Sequence, residues 1–130
     1  MAKIEKLEDI IAWQRARELT AKIYKFTSNG AFARDFGLRD QVRKASVSVA
    51  SNIAEGFGRG GNKEFIQFLS TAKGSLYELR TQLYIANDLK YITEEDFRIL
   101  NTDIDDTARL ISGFINYLKT TEMRGNKFKK

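Results

Sequence analysis

The chain of 130 residues has no cysteine, no histidine and no proline. Without cysteine there are no disulfides, no thiolate metal sites and no thiol nucleophile. Without histidine, the serine–histidine and cysteine–histidine arrangements fall away, together with the glutamate-plus-histidine sites of di-iron bundles. Average usage of about 5% would supply roughly six prolines; with none, long helices can run unbroken. Long apolar runs are missing too. No stretch approaches the roughly 20 apolar residues of a membrane span, and Met1-Ala2-Lys3-Ile4-Glu5 has no apolar signal core. The expectation is a cytoplasmic protein with no membrane partner, a compartment with which the absence of cysteine is compatible.

What remains is an ordinary globular balance, 42% hydrophobic and 30% charged, in a length that suits one domain around one core. The surviving chemistry is that of carboxylate, lysine, tyrosine or threonine. Twenty-two basic residues face 17 acidic ones, a net of +5, which permits a polyanion partner without requiring one. Residues 1 to 61 hold 11 basic and 7 acidic groups, while residues 62 to 130 hold 11 and 10, with four of those basics in the last seven positions. Basicity therefore concentrates in the first half and in the tail.

Four stretches carry helical periodicity. Ala12, Ala16, Leu19, Ile23 and Phe26 recur at spacings of four and three, predicting a helix over about 8–28. A glycine-punctuated loop follows. Leu38, Val42, Ala45, Val49, Ile53 and Gly56 predict a second helix over 38–57, ended by the glycines at 56, 58, 60 and 61. A third, over 63–88, follows Asn62 as N-cap and carries the most regular seam: Phe65, Leu69, Ala72, Leu76, Leu79, Leu83 and Ala86. Thr93 with Asp96 resembles a capping box and opens a fourth helix over 94–121 through Phe97, Leu100, Ile104, Thr107, Ile111, Phe114 and Leu118. A basic flexible tail over 122–130 completes the reading. Short connections between long helices predict an all-α, antiparallel, up-down-up-down four-helix bundle in a single domain over 1–130.

The first and third helices carry a second apolar set: Ile10, Ile11, Trp13 and Tyr24 on one, Ile66, Phe68, Tyr84 and Ile85 on the other. Such a set can be the broad edge of a monomer's core. It can equally form a contact between copies, where flanking aromatics are common, and the contact is the expectation here.

Gly56-Phe57-Gly58-Arg59-Gly60-Gly61 contains the spacing Gly-x-Gly-x-x-Gly. A dinucleotide fingerprint needs a strand before it, and here a helix precedes it, so the glycines read as a helix end and reversal. Free amides beside Arg59 and Lys63 could still hold a nucleic-acid phosphate. Arg15, Arg17, Arg39, Arg43 and Lys44 add basic groups on the first two helices, making Arg15, Arg17, Arg39, Arg43, Lys44, Arg59 and Lys63 the candidate polyanion surface. Gln41, Ser48, Asn52 and Glu55 fall on one line of the second helix, and Ser75, Glu78 and Gln82 on one line of the third. Partly buried polar groups need partners, so these lines predict a structural network between helices or subunits. Glu55 with Glu78 could alternatively do acid–base work or hold a divalent ion. The acidic residues of the fourth helix read as a solvated face.

Ile11-Ala12-Trp13-Gln14-Arg15-Ala16, Leu38-Arg39-Asp40-Gln41-Val42-Arg43-Lys44-Ala45, Asn52-Ile53-Ala54-Glu55-Gly56-Phe57-Gly58-Arg59, Glu64-Phe65 with Phe68-Leu69, and Gly74-Ser75-Leu76-Tyr77-Glu78-Leu79 together resemble the four-helix bundle proteins encoded within 23S rRNA intervening sequences. The resemblance runs from about Leu7 to Leu118. It implies an antiparallel bundle assembling as a homopentamer, a proposed association with RNA, and no enzyme activity. That family in turn is similar to the small basic accessory proteins of diversity-generating retroelements, which implies a reverse transcriptase or its nucleic acid as another partner. Where the family often has proline, one turn before the Asn-Ile-Ala-Glu-Gly segment, Ala50 stands here, implying a straighter second helix.

The expected function is thus a non-catalytic, homo-oligomeric nucleic-acid-binding protein, most suited to structured RNA, with no cofactor, metal or small-molecule substrate. The alternative is a structural or adaptor oligomer with a protein partner.

Overall fold

The structure is a computed structural model that describes residues 4–123. A 3-10 turn, Leu7–Asp9, leads into α1 (Ile11–Phe26), α2 (Gly30–Arg34), α3 (Phe36–Gly58), α4 (Asn62–Asp88) and α5 (Glu94–Met123). Four of the five helices are long, and no strand occurs among the described residues.

Each long helix forms where the apolar period lies. Ala12, Ala16, Leu19 and Ile23 of α1, Val42, Val49 and Ile53 of α3, Leu69, Leu76, Leu79 and Leu83 of α4, and Leu100, Ile104, Ile111 and Leu118 of α5 are all buried. Burial of each large side chain contributes about 1.5 to 3 kcal/mol. α3 packs on α1 and on α4, α5 packs on α4, and α5 also touches α1, closing the ring around one core.

Polar bonds tie the same pairs. Thr20 Oγ1 of α1 donates to the Ser46 carbonyl of α3 at 3.0 Å, and Lys22 Nζ of α1 pairs with Asp103 of α5 at 2.6 Å. Arg80 of α4 pairs with Asp105 of α5. Tyr91, in the link after α4, donates to Asp35 Oδ2 before α3 at 2.9 Å.

The ends depart from the periodicity in instructive ways. The first helix starts at Ile11 rather than near residue 8, because the Asp9 carboxylate accepts the amides of Glu5 at 3.0 Å and Lys6 at 3.1 Å and closes a separate turn. These backbone bonds hold the Asp9 carboxyl below the usual range. Ile10, at the junction in an extended conformation, then points inward and is 2% exposed. It belongs to the subunit's own core, which corrects its expected place on an outer contact face.

The expected loop before the second helix contains α2, whose Phe32 is buried and packs on Tyr91 at 5.4 Å between ring centres. α3 starts two residues early because Asp35 Oδ1 accepts from the Leu38 amide at 3.1 Å. The N-cap of α4 is Gly61, not Asn62. Asn62 is buried, and its amide instead donates to the Leu118 carbonyl of α5 at 2.9 Å. Thr93 does cap α5, accepting from the Asp96 amide at 3.0 Å.

Gly56 lies inside α3, and the reversal after it is made by Gly60, whose φ is +85°. α5 takes in Glu122 and Met123, so the expected tail starts later than 122; its residues from 124 lie outside the described residues.

Candidate nucleic-acid-binding surface

The seven candidate cations divide by what they touch. Arg43, half-buried on α3, donates through Nε to Thr27 Oγ1 at 2.8 Å and through Nη2 to the Thr27 carbonyl at 3.3 Å, while its guanidinium lies 4.5 Å from the Tyr24 ring centre. It thereby satisfies a terminal carbonyl at the negative end of α1, where a cation is favoured. Arg39 is similarly committed, to Asp40 at 2.9 Å, to the Ala33 carbonyl at 3.1 Å and to the face of Phe36 at 4.8 Å.

Arg59 holds Glu55 Oε2 through Nε at 3.2 Å and Nη2 at 2.9 Å, lies 4.0 Å from Glu64, and sits over Phe68. Such exposed pairs are worth only about 0 to 1 kcal/mol, so a phosphate can compete for this side chain. Arg17 lies 5.6 Å over Trp13. Arg15, Lys44 and Lys63 are exposed and have no ion pair among the described residues.

These seven side chains do not form one patch. Arg39, in the first turn of α3, and Arg59, its C-cap, stand 20 residues apart, or about 30 Å at 1.5 Å per residue. Because Thr27 meets Arg43 and Thr20 meets Ser46, α1 runs back along α3. Arg39, Arg43 and Lys44 therefore share one end of the bundle with the end of α1, and Arg59 and Lys63 share the other with its start. Arg15 faces α5, lining a crevice with Asp103 and Thr107. The sequence pattern placed all of them beside the glycine segment; helix length separates them.

The polar lines are also divided. Ser48 Oγ and Ser75 Oγ lie 2.9 Å apart across α3 and α4, and Asn52 Nδ2 donates to the Ser48 carbonyl at 2.8 Å and to its hydroxyl at 2.9 Å. Gln82 is buried, with its Oε1 unpartnered. Gln41, Glu55 and Glu78 are exposed, so within the subunit the network reduces to Ser48, Asn52 and Ser75. Among the described residues there is no group of three or more carboxylates placed to hold a metal ion.

Of the apolar candidates, Trp13 and Ile66 are half-buried against the core, and Phe68 is half-buried beside Gly56. Ile11, Tyr24, Tyr84 and Ile85 are exposed, although Tyr84 also packs edge-on against Phe97 at 4.8 Å. The structure adds Phe36, Val47, Tyr77, Leu89 and Ile99 as exposed large apolar residues. Phe36 sits in the expected loop, where periodicity carries no information. The only signal for it in the sequence was an aromatic residue placed three before Arg39.

A crystal structure of a protein of unknown function from the S23 ribosomal protein family of Bacteroides thetaiotaomicron is similar in fold, with a TM-score of 0.74 at 24% identity over 82% of this chain and 96% of that one. No curated protein matches the chain. No described helix is long and apolar enough to cross a membrane. The model of the 23S rRNA-intervening sequence protein family matches residues 8–113, from the turn before α1 well into α5, and the chain belongs to that family.

Proposed function

We propose that this protein is a non-catalytic, cytoplasmic, homo-oligomeric bundle of up-down-up-down course that binds structured RNA. The observation that carries the proposal is that Arg15, Lys44 and Lys63, among other cations, are exposed without an ion pair among the described residues, on a subunit of net charge +5. The family description ties the protein to 23S rRNA intervening sequences, which supports RNA as the polyanion.

The up-down course is supported by the cross-links: Thr27 at the end of α1 meets Arg43 near the start of α3, Asp35 meets Tyr91, and Asn62 meets Leu118. Assembly is supported by exposed Ile11, Tyr77, Tyr84 and Ile85. Two contacts of about 800 Å² each would cover roughly a fifth of the 7640 Å² surface. A pentamer, the number the family resemblance implies, would carry five times the +5 charge and gain by repeated weak phosphate contacts.

Titration of labelled structured RNA at two salt concentrations tests the reading. Changing Arg15, Lys44 and Lys63 together to glutamate should weaken binding and flatten the salt slope by about 2 to 3, with the mass by light scattering unchanged. Absence of binding by the wild type at low salt would refute RNA binding. It would leave the adaptor reading, which the exposed aromatic and aliphatic residues of α4 favour, with a protein such as a reverse transcriptase as the partner.

A further inference from the structure

At the corner near the start of α3, two exposed aromatic rings, Phe36 of α3 itself and Tyr24 near the end of α1, lie against arginines of one face of α3. Phe36 is 64% exposed and Tyr24 41%. The guanidinium of Arg39 lies 4.8 Å from the Phe36 ring centre, and that of Arg43 lies 4.5 Å from that of Tyr24. Residues at i and i+4 of a helix are neighbours on one face, so the two arginine–ring pairs stand side by side.

Both arginines are themselves fixed, Arg39 by Asp40 and the Ala33 carbonyl, Arg43 by Thr27. A ring backed by an anchored cation is held in place before any ligand arrives, which removes part of the ordering cost of binding. Around them Arg34 and Lys44 are exposed with no ion pair among the described residues. Residues 34–44 hold four cations (Arg34, Arg39, Arg43, Lys44) against two carboxylates (Asp35, Asp40). Asp35 is already engaged by Leu38 and Tyr91, and Asp40 by Arg39.

Exposed aromatic faces set among cations suit one chemistry above others: bases stacked on the rings, with their phosphates on the flanking charges. We propose that this corner is a stacking platform for unpaired nucleotides, so that the protein engages its RNA at single-stranded segments rather than along a duplex. The bases of an A-form duplex are stacked on one another and cannot reach the rings. This inference rests on the RNA-binding reading above and adds to it where on the RNA, and with which residues, contact is made. Tyr24 thereby passes from candidate subunit contact to ligand contact.

The test measures binding of full-length protein to a labelled oligouridine of about a dozen nucleotides and to an RNA duplex of equal length. The wild type should prefer the single strand. Phe36→Ala should weaken single-strand binding about five- to a hundredfold and leave duplex binding nearly unchanged, while Phe36→Trp should restore it. Tyr24→Leu should act in the same direction. Circular dichroism and light scattering on every variant establish that helix and assembly are intact.

If Phe36→Ala binds oligouridine like the wild type, or loses single strand and duplex equally, the platform is wrong while RNA binding stands. If Phe36→Ala changes the mass of the assembly, the corner is a contact between copies and the proposal falls. If the wild type binds neither RNA, the proposed function falls and this inference with it.

Discussion

Replacing Gly56 with alanine is the sharpest probe of how α3 and α4 meet. A Cβ at Gly56 would lie 2.7 Å from Phe68 Cβ, 2.8 Å from Phe65 Cδ1 and 3.3 Å from the Phe65 carbonyl oxygen. Carbon atoms pack at about 3.5 to 4.0 Å, so two contacts are short by roughly 1 Å. The Phe68 atom adjoins the backbone and cannot swing away. The Phe65 ring is 2% exposed and edge-on to both Phe57 and Phe114, at 6.1 and 5.2 Å, so it has no empty space to enter. α4 must move outward, and overpacking of this kind costs about 1 to 3 kcal/mol. Against this, alanine gains about 1 kcal/mol over glycine in helix propensity.

Gly74 and Gly113 are helical glycines whose added Cβ would meet nothing within 4 Å. Gly74→Ala and Gly113→Ala therefore show the propensity gain alone. The three variants should separate by about 2 kcal/mol: the two controls up by roughly 1, Gly56→Ala down by roughly 1. For a chain of this size each kcal/mol is about 3 to 5 °C in Tm. Thermal unfolding followed by circular dichroism at one fixed protein concentration reads the difference. A Gly56→Ala protein as stable as Gly74→Ala would refute the claim that this glycine exists for close helix approach.

Three further outcomes are expected. Asn52→Leu should keep full helical content and lose about 1 kcal/mol in chemical unfolding, because the Ser48 carbonyl and hydroxyl lose the donor at 2.8 and 2.9 Å; no change would mean the line is not structural. Arg43→Met should destabilise the fold by about 1 to 3 kcal/mol, because the hydroxyl and carbonyl oxygens of Thr27, which is 0% exposed, lose the guanidinium that donates to both. Lys44→Met should stay within about 0.5 kcal/mol, and equal losses at the two positions would refute the division between anchored and free cations. The bond from Tyr91 to Asp35 raises the Tyr91 phenol above its ordinary value of 10.0. The folded state then holds that proton more tightly than the unfolded chain, so this contribution is complete below about pH 10 and is lost as pH rises through the higher folded value. Tyr91→Phe should remove that part of the alkaline loss in a pH series of unfolding midpoints, and a variant with the same alkaline slope as the wild type would contradict it.

The helices were legible in the sequence because their cause is periodic. Leu19, Val49, Leu76 and Ile111 are each fully buried or nearly so, as the three-and-four spacing requires. Features decided by single contacts were not legible. Whether Asn62 caps a helix from outside or enters the bundle depends on the Leu118 carbonyl 56 residues away, and no local pattern records that. Ile10 was misplaced for the same reason: a turn closed by Asp9 re-aims it. The sequence places basic residues along helices and beside the glycine segment without saying which of them are anchored. Arg43 and Lys44 are adjacent in sequence, yet one closes the end of α1 and the other is exposed to solvent.

The link between α3 and α4 is only three residues, Arg59 to Gly61, and the helices it joins pack more extensively on each other than any other pair in the bundle. Closing so short a loop costs little chain entropy, and neighbours in sequence are here neighbours in space, which favours rapid folding. The α3–α4 hairpin is therefore the expected folding nucleus, with φ-values higher at Val49 and Leu76 than at Leu118 near the far end of α5. The surface that joins α3 to α4 would then be complete before α1 and α5 close over its other side.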